Sequence, residues 1–175
     1  MKVSVFVGTS VDGFLARPNG TFDFLFPGGS EPEPHGYREF MATVDAIVMG
    51  RNTFEVVAAE PKWPYPEKRV VVLSSRPLDA SSAKVKVEQM SGTPAEIVAR
   101  LATSGANHLY VDGGITIQRF LRAGLVDRMV ITRVPVLVGE GIPLFGAVEK
   151  DIRLQHIDTR QYGGGLVQSE YEVRH

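Results

Sequence analysis

The chain has 175 residues, 43% of them hydrophobic and 22% charged, which are ordinary values for a globular protein and fit a single domain over residues 1–175. A formal net charge of −1 excludes a broad electrostatic field that would attract nucleic acid or an acidic membrane surface. Because the chain contains no cysteine, disulfides, thiolate catalysis and cysteine-ligated metals are excluded as well.

The first half of the chain alternates between strand and helix patterns. Residues 3–7 (VSVFV) form an apolar run without alternation, which predicts a central strand covered on both faces. Residues 17–36 are rich in proline and glycine and predict a long loop, a feature that is more often functional than idle. The patterns that follow predict a helix at 36–44, a strand at 46–49, a helix at 52–59 and a strand at 70–73.

The second half begins with the same alternation and ends in paired strands. Thr93, Pro94 and Glu96 form a typical helix start, with a capping hydroxyl, a proline at the first helical position and a glutamate three residues after the cap. Gly105 is the matching helix end. The other predicted elements are strands at 84–88, 108–111, 128–138 (interrupted at Pro135), 152–160 and 166–173, a helix at 115–123 that ends at Gly124, and a hairpin turn at 163–165.

This order of elements predicts an α/β fold with a mostly parallel mixed sheet and an antiparallel C-terminal edge. The opening residues lack the long apolar core of a secretion signal, and no segment is apolar enough to span a membrane, so we expect a cytoplasmic protein. The apolar strand in the 128–138 region is a candidate for pairing two copies of the chain. The histidines show no metal-binding spacing, and we predict no metal site.

Polar or glycine-rich corners follow three of the predicted strands. These corners are Gly50-Arg51-Asn52-Thr53, Ser74-Ser75-Arg76 and Asp112-Gly113-Gly114. The carboxyl ends of parallel strands face a common crevice, and two of these corners open helices, whose free N–H groups bind phosphate. Glycine lets the backbone approach a pyrophosphate closely, and Arg51 and Arg76 add positive charge. The three corners together predict a site for a ligand with several phosphates, such as NADPH, with its 2′-phosphate at Ser74, Ser75 and Arg76.

Each of these corners also has a purely structural interpretation. A Gly-Gly pair is usually only a turn, a Ser-Ser pair commonly begins one, and Arg51 could be an exposed residue on a capped helix. It is their order along the chain, each at the end of its own strand, that favours the ligand site.

Several phrases of the sequence resemble the dihydrofolate reductase superfamily. They are MGRNTFE, VVLSSRP and VDGGITIQRFL, and SVDGFLA and VPVLVGEGIPLF are more similar to the branch that contains the reductase domain of the bifunctional riboflavin-biosynthesis deaminase/reductase. The resemblance runs over nearly the whole chain. It implies a three-layer α/β/α sandwich, NADPH as the cofactor and a homodimer.

The resemblance also implies roles for individual residues. Asp12 and Thr132 would lie on the substrate side, Asp12 beside the nicotinamide and Thr132 where folate reductases hold the pterin. The loop at 17–36 would be the mobile cover of the active site. The implied cofactor-binding residues are Val7, Gly8, Leu15, Gly50, Arg51, Asn52, Thr53, Ser74, Ser75, Arg76, Asp112, Gly113, Gly114, Ile115 and Thr116.

The sequence departs from the folate reductases at their carboxylate, because the family spacing reaches Pro34 instead of an acid. The nearby candidates for a proton donor are Asp23, Glu31, Glu33, His35 and Glu39, each of which could also be an exposed loop residue. Asp12 likewise has a structural alternative, since Asp-Gly is common in turns.

The resemblance therefore favours an NADPH-dependent reductase similar to 5-amino-6-(5-phosphoribosylamino)uracil reductase, acting on a pyrimidine- or pterin-like small molecule. Two alternatives stay open. One is dihydrofolate reduction, which requires an acid from the loop set; the other is a noncatalytic NADPH-binding module.

Overall fold

The computed structural model describes residues 1–26, 35–78 and 86–175. Its central feature is a mixed sheet of eight strands, accompanied by a small sheet of two strands. The strands are β1 Lys2–Ser10, β2 Phe14–Ala16, β3 Ala46–Gly50, β4 Arg69–Leu73, β5 Glu88–Met90, β6 His108–Asp112, β7 Arg128–Val134, β8 Ile142–Pro143, β9 Arg153–Tyr162 and β10 Leu166–Arg174. The α-helices of the described residues are α1 Tyr37–Thr43, α2 Arg51–Ala58, α3 Pro94–Thr103 and α4 Gly114–Arg122.

The strand order in the large sheet is β5-β4-β3-β6-β1-β7-β10-β9. The pairs from β5 to β7 are parallel, and β10 runs antiparallel to both β7 and β9. The first strand is thus central, and the mostly parallel sheet with an antiparallel C-terminal edge is confirmed. Because β7 is paired with β1 on one side and β10 on the other, the prediction that this strand pairs two copies of the chain is wrong.

Two apolar clusters hold the sheet between helices. Ile97 and Leu101 of α3 and Ile117 and Phe120 of α4 pack against one face of the sheet, and all four side chains are fully buried. Phe40 of α1 and the α2 residues pack with Ile47 and Met49 on the opposite face. The molecule is therefore a three-layer α/β/α sandwich, which places the loops after the parallel strands along one edge.

Local sequence signals fixed most element boundaries. The Thr93 side chain accepts from the Glu96 backbone while the Glu96 carboxylate accepts from the Thr93 backbone N–H, so the predicted capping box at α3 is present. The strand that begins at residue 128 ends at Val134, immediately before Pro135, which has no N–H to donate. The strand predicted at 84–88 is displaced, since β5 runs over Glu88–Met90; residues 84 and 85 lie outside the described residues.

The predicted hairpin turn at 163–165 joins β9 to β10, with Gly164 and Gly165 at positive φ. The pairing of β2 with β8 in the small sheet was not predicted. None of the helices in the described part of the chain is long and apolar enough to cross a membrane.

Candidate functional site

The three corners lie side by side at one edge of the sheet. The strands β4, β3, β6 and β1 are consecutive neighbours and all run parallel. Gly50 at the end of β3 is in register with Leu73 of β4, and Met49 is in register with Asp112 of β6. The residues that follow these strands therefore lie side by side at one edge of the sheet, as the sequence predicts.

Glycines allow two of the corners to interlock. A side chain at Gly113 would collide with the hydroxyl of Thr53 in α2, and Gly113 has a φ of +89°, which side chains rarely adopt. A Cβ at Gly50 would lie 3.0 Å from the Thr116 hydroxyl of α4. The turn before each helix is thus in contact with the first turn of the other helix, which brings the two helix N-termini together.

The N-termini of α2 and α4 have no side-chain cap, whereas the N-terminus of α3 is capped by Thr93. Gly50 and Gly113 are the N-caps of α2 and α4, and neither helix has a side-chain hydrogen bond at its cap. The first backbone N–H groups of both helices, which include those of Asn52 and Ile115, are consequently available to an anion. The Ile115 side chain is 67% exposed at this end of α4.

Arg51, in the corner after β3, binds the Ser74-Ser75-Arg76 corner after β4. The Nε and Nη2 atoms of Arg51 donate to the Ser74 hydroxyl at 3.0 and 2.9 Å, and Nη2 also donates to the carbonyl oxygens of Arg76 and Pro77, both at 2.6 Å. The side chains of Ser75 and Arg76 are exposed. Arg51 therefore holds the turn together, and Ser75 and Arg76 face solvent.

A partly buried carboxyl group stands at the centre of the edge. Asp112 ends β6, and its carboxylate accepts from the Gly113 N–H at 2.8 Å. Desolvation raises the pKa of Asp112 to about 6, and its charge contributes to raising the pKa values of Tyr37, Tyr65 and Tyr110. This acid–tyrosine cluster lies on the α1 side of the sheet, where Tyr110 donates to the Phe6 carbonyl at 2.9 Å.

The residues of the first strand and its loop border the same edge. A Cβ at Gly8 would contact the Leu25 side chain at 3.2 Å, and one at Gly114 would lie 3.5 Å from Leu15. The side chain of Val7 is buried in the cluster with α3 and α4, so any contact of Val7 with a ligand would be through its backbone. The small sheet explains the position of Leu15, because β2 and β8 hold this segment against the start of α4.

Both residues assigned to the substrate side have protein partners. The Asp12 carboxylate accepts from the backbone N–H groups of Val138 and Gly139 at 3.1 and 2.7 Å. A hydrogen bond from Ser10, together with those two backbone donors, lowers the pKa of Asp12 to about 2. Asp12 thus ties the loop after β1 to the loop after β7.

Thr132 takes part in a different contact. The Gln168 side chain donates to the Thr132 hydroxyl at 2.9 Å and to the His35 carbonyl at 3.0 Å. Strand register places Thr132 beside both Gly8 and Gln168. Thr132 therefore lies beside the carboxyl end of β1, and Gln168 connects it to the segment before α1.

The candidate proton donors predicted near the loop lie in different surroundings. Asp23 is exposed and bonded to Arg17 at 2.7 Å, a contact that lowers the pKa of Asp23. Glu39 lines a groove of about 490 Å³ between α1 and the strands β7, β9 and β10, and His35 borders the same groove. Glu31 and Glu33 lie outside the described residues. Within residues 1–26, 35–78 and 86–175, no group of acidic and histidine side chains is arranged to hold a metal ion.

Sequence reasoning placed Asp112 only in the cofactor turn and did not consider it as an acid. The available signal was an ionisable residue directly after the buried strand HLYV. Gln89 and Gln168 were missed entirely, because an isolated glutamine in a strand carries no pattern.

Comparisons with known proteins agree with this architecture. Residues 1–168 match the family model of the RibD C-terminal domain. Protein YwjB of Bacillus subtilis, which is uncharacterized, is 30% identical over 164 residues that cover 93% of this chain and 92% of YwjB. A crystal structure from Shewanella sp. PV-4, of a protein whose name assigns it to riboflavin biosynthesis, superposes with a TM-score of 0.89 at 38% identity and full coverage of both chains. Dihydrofolate reductase from Enterococcus faecalis, solved in complex with NADP(H), shares the fold with a TM-score of 0.67 at 16% identity, over 99% of this chain and 97% of the reductase.

Proposed function

We propose, since the chain belongs to the RibD C-terminal domain family, that it is an NADPH-dependent reductase acting on a pyrimidine- or pterin-like small molecule. The activity would be similar to that of 5-amino-6-(5-phosphoribosylamino)uracil reductase, named in a Thermotoga maritima structure of the same fold. The observation that carries the proposal is the convergence of three corners, two of them uncapped helix starts, at one edge of the sheet.

The groups at this edge fit a dinucleotide with several phosphates. Gly50 and Gly113 let the first turns of α2 and α4 approach each other, and the N–H groups at these two uncapped helix starts supply donors for a pyrophosphate. The exposed Arg76 guanidinium and Ser75 hydroxyl would bind a terminal phosphate, such as the one that distinguishes NADPH from NADH. Asn52, Thr53, Ile115 and Thr116 lie in the first turns of the two helices that frame the crevice.

NADPH would supply the hydride when bound, and the chain would supply orientation and a proton. We assign the proton to the Asp112 carboxyl group, because Asp112 ends β6 at this edge of the sheet and desolvation there favours its protonated form, raising its pKa to about 6. The strands β1 and β6 pair up to Ser4 and Tyr110, and Phe6 and Asp112 each lie two residues beyond that pair. Thr132, held by Gln168, would orient the substrate from the other side of β1.

The structure bears on the folate alternative as well. The described acids that could assist a pterin are Asp23, which is bonded to Arg17 in the loop, and Glu39 of α1, which is exposed at the groove. Dihydrofolate turnover that disappears in Glu39→Gln and persists in Asp112→Asn would establish that reading. Tight NADPH binding without oxidation by any pyrimidine, pterin or small carbonyl compound would instead favour the noncatalytic module.

A homodimer and a cytoplasmic location remain part of the proposal. The edge strand β9 exposes Leu154 by 41% and Ile157 by 44%, and Phe145, which is 48% exposed, lines a surface groove together with Leu154. Apolar side chains grouped at an outer edge are typical of surfaces between protein chains. Sedimentation of the purified protein would test the dimer.

The test of the proposal is cofactor binding by Arg76→Ala. Titration of NADPH and NADH, followed by nucleotide fluorescence, should show that the wild type prefers NADPH. In the variant, NADPH should bind about tenfold to about a hundredfold more weakly, since a charge-assisted hydrogen bond contributes about 1.5–3 kcal/mol. NADH binding should be unchanged.

Arg153→Ala on the distant edge strand is the matched control, and it should leave both affinities as they are. Equal affinities of the wild type for the two nucleotides would refute the phosphate site. Substrates are then screened by NADPH oxidation, first with pyrimidines and pterins.

A further inference from the structure

The turn that carries Ser75 and Arg76 is fastened by a side chain from the outermost parallel strand. Gln89 of β5 donates through Nε2 to the carbonyl oxygens of Ser74 and Arg76 at 3.0 and 2.9 Å. Its Oε1 accepts from the Leu78 N–H at 3.0 Å. One amide group therefore satisfies three backbone groups of the turn.

A second set of contacts holds the turn from the opposite side. Arg51 donates to the Ser74 hydroxyl and to the carbonyl of Arg76. The Ser74 hydroxyl also donates to that carbonyl at 2.7 Å and accepts from the Arg76 N–H at 3.2 Å. Ser74 is thus occupied within the turn, and the carbonyl of Arg76 is the acceptor that Arg51, Ser74 and Gln89 share.

We propose that Gln89 is a positioning residue that gives this protein its selectivity for NADPH over NADH, by fixing the turn from which Arg76 reaches the 2′-phosphate. The inference rests on the proposed function. Ser74 would then act as part of the scaffold, and Ser75 and Arg76 would be the groups that contact the phosphate.

The location of Gln89 argues against a role in general packing. Gln89 is exposed, and β5 has only three residues, with a single parallel neighbour in the sheet. Such an edge would leave the turn after β4 free to move, and a mobile arginine loses conformational freedom when it binds an anion. Because Gln89 already holds the carbonyls of Ser74 and Arg76, the turn loses less conformational freedom when the ligand binds.

The experiment compares Gln89→Met, which keeps the size of the side chain without its hydrogen bonds, with the wild type. Dissociation constants for NADPH and NADH are measured by fluorescence titration, and hydrogen exchange at the Leu78 amide is followed by NMR without nucleotide. We expect NADPH binding to weaken about tenfold, which corresponds to about 1.4 kcal/mol, while NADH binding is unchanged. Exchange at Leu78 should be faster.

Gln155→Met on the exposed strand β9 is the control for the substitution itself, and it should leave the affinities for NADPH and NADH unchanged. Equal weakening of NADPH and NADH in Gln89→Met would indicate a general structural effect and overturn the inference, as would unchanged affinity for both. Wild-type protein that binds neither nucleotide would overturn the proposed function and, with it, the inference. Wild-type selectivity that is undiminished in Gln89→Met overturns the inference alone.

Discussion

Replacing Asp112 by asparagine should remove a pH dependence from the stability of the protein. Desolvation raises the pKa of Asp112 from 3.8 to about 6 in the folded state, so the folded protein holds this proton more tightly than the unfolded chain does. The stability that this group contributes is fully present below its unfolded value of 3.8 and is lost as the pH rises through about 6. Asparagine can still accept from the Gly113 N–H, but it carries no charge at any of these pH values.

The expected magnitude follows from the shift. A difference of about two pKa units at about 1.36 kcal/mol per unit corresponds to about 3 kcal/mol. The free energy of unfolding of Asp112→Asn minus that of the wild type should therefore grow by about 3 kcal/mol between about pH 3 and about pH 8. The changes in all other titrating groups cancel in this difference.

Urea denaturation at a series of pH values measures this difference, with the fluorescence of Trp63, the only tryptophan, as the signal. Trp63 packs edge-on against Phe54 in the cluster beneath α2, so its emission should report unfolding. Asp151→Asn, at an exposed carboxyl group, is the control for the substitution itself. Parallel curves for Asp112→Asn and the wild type would refute the argument that Asp112 is desolvated in the folded protein.

Three further outcomes are expected. Asp112→Asn should slow NADPH oxidation by the substrate at every pH and abolish the loss of rate above about pH 6, where the wild-type acid is deprotonated; an unchanged pH–rate profile would remove Asp112 from the proton-donor role. Gly113→Ala should destabilise the protein more than Gly105→Ala, measured by urea denaturation, because both glycines have φ near +90° but only the new methyl group at 113 would meet Thr53; equal losses would mean that the contact with Thr53 relaxes freely. Asp12→Ala should speed hydrogen exchange at the Gly139 amide without changing the affinity for NADPH, and weaker NADPH binding in this variant would indicate that Asp12 has a role at the cofactor.

The order of the elements could be predicted from the sequence because its signals are local. The apolar run of β1, the capping box of α3 and Pro135 each act on residues close by in the chain, and the structure has the expected element at each of them. The displaced strand β5 shows the limit of such signals. It is an edge strand of three residues, and its position depends on which backbone groups of β4 are available for pairing.

The ligand edge could be predicted in outline for a similar reason. Parallel strands must end at the same side of a sheet, so the corners after β3, β4 and β6 had to face one crevice once the strands were recognised. Which side chains at this edge would be available to contact a ligand could not be predicted. Arg51 was expected to contact a ligand, and the structure shows its guanidinium bonded to Ser74 and to the backbone of the turn.

The sequence by itself thus determined the alternation of strands and helices and the presence of glycine and cationic corners, because those depend on neighbouring residues and on the direction of the strands. Only the tertiary structure decided the environment of each functional group. The pKa of Asp112, the engagement of Asp12 with Val138 and Gly139, and the hold of Gln89 on the turn all depend on residues that are distant in the chain. Desolvation and hydrogen bonding are set by whatever atoms the fold brings within a few ångströms, and no local pattern in the chain encodes that set.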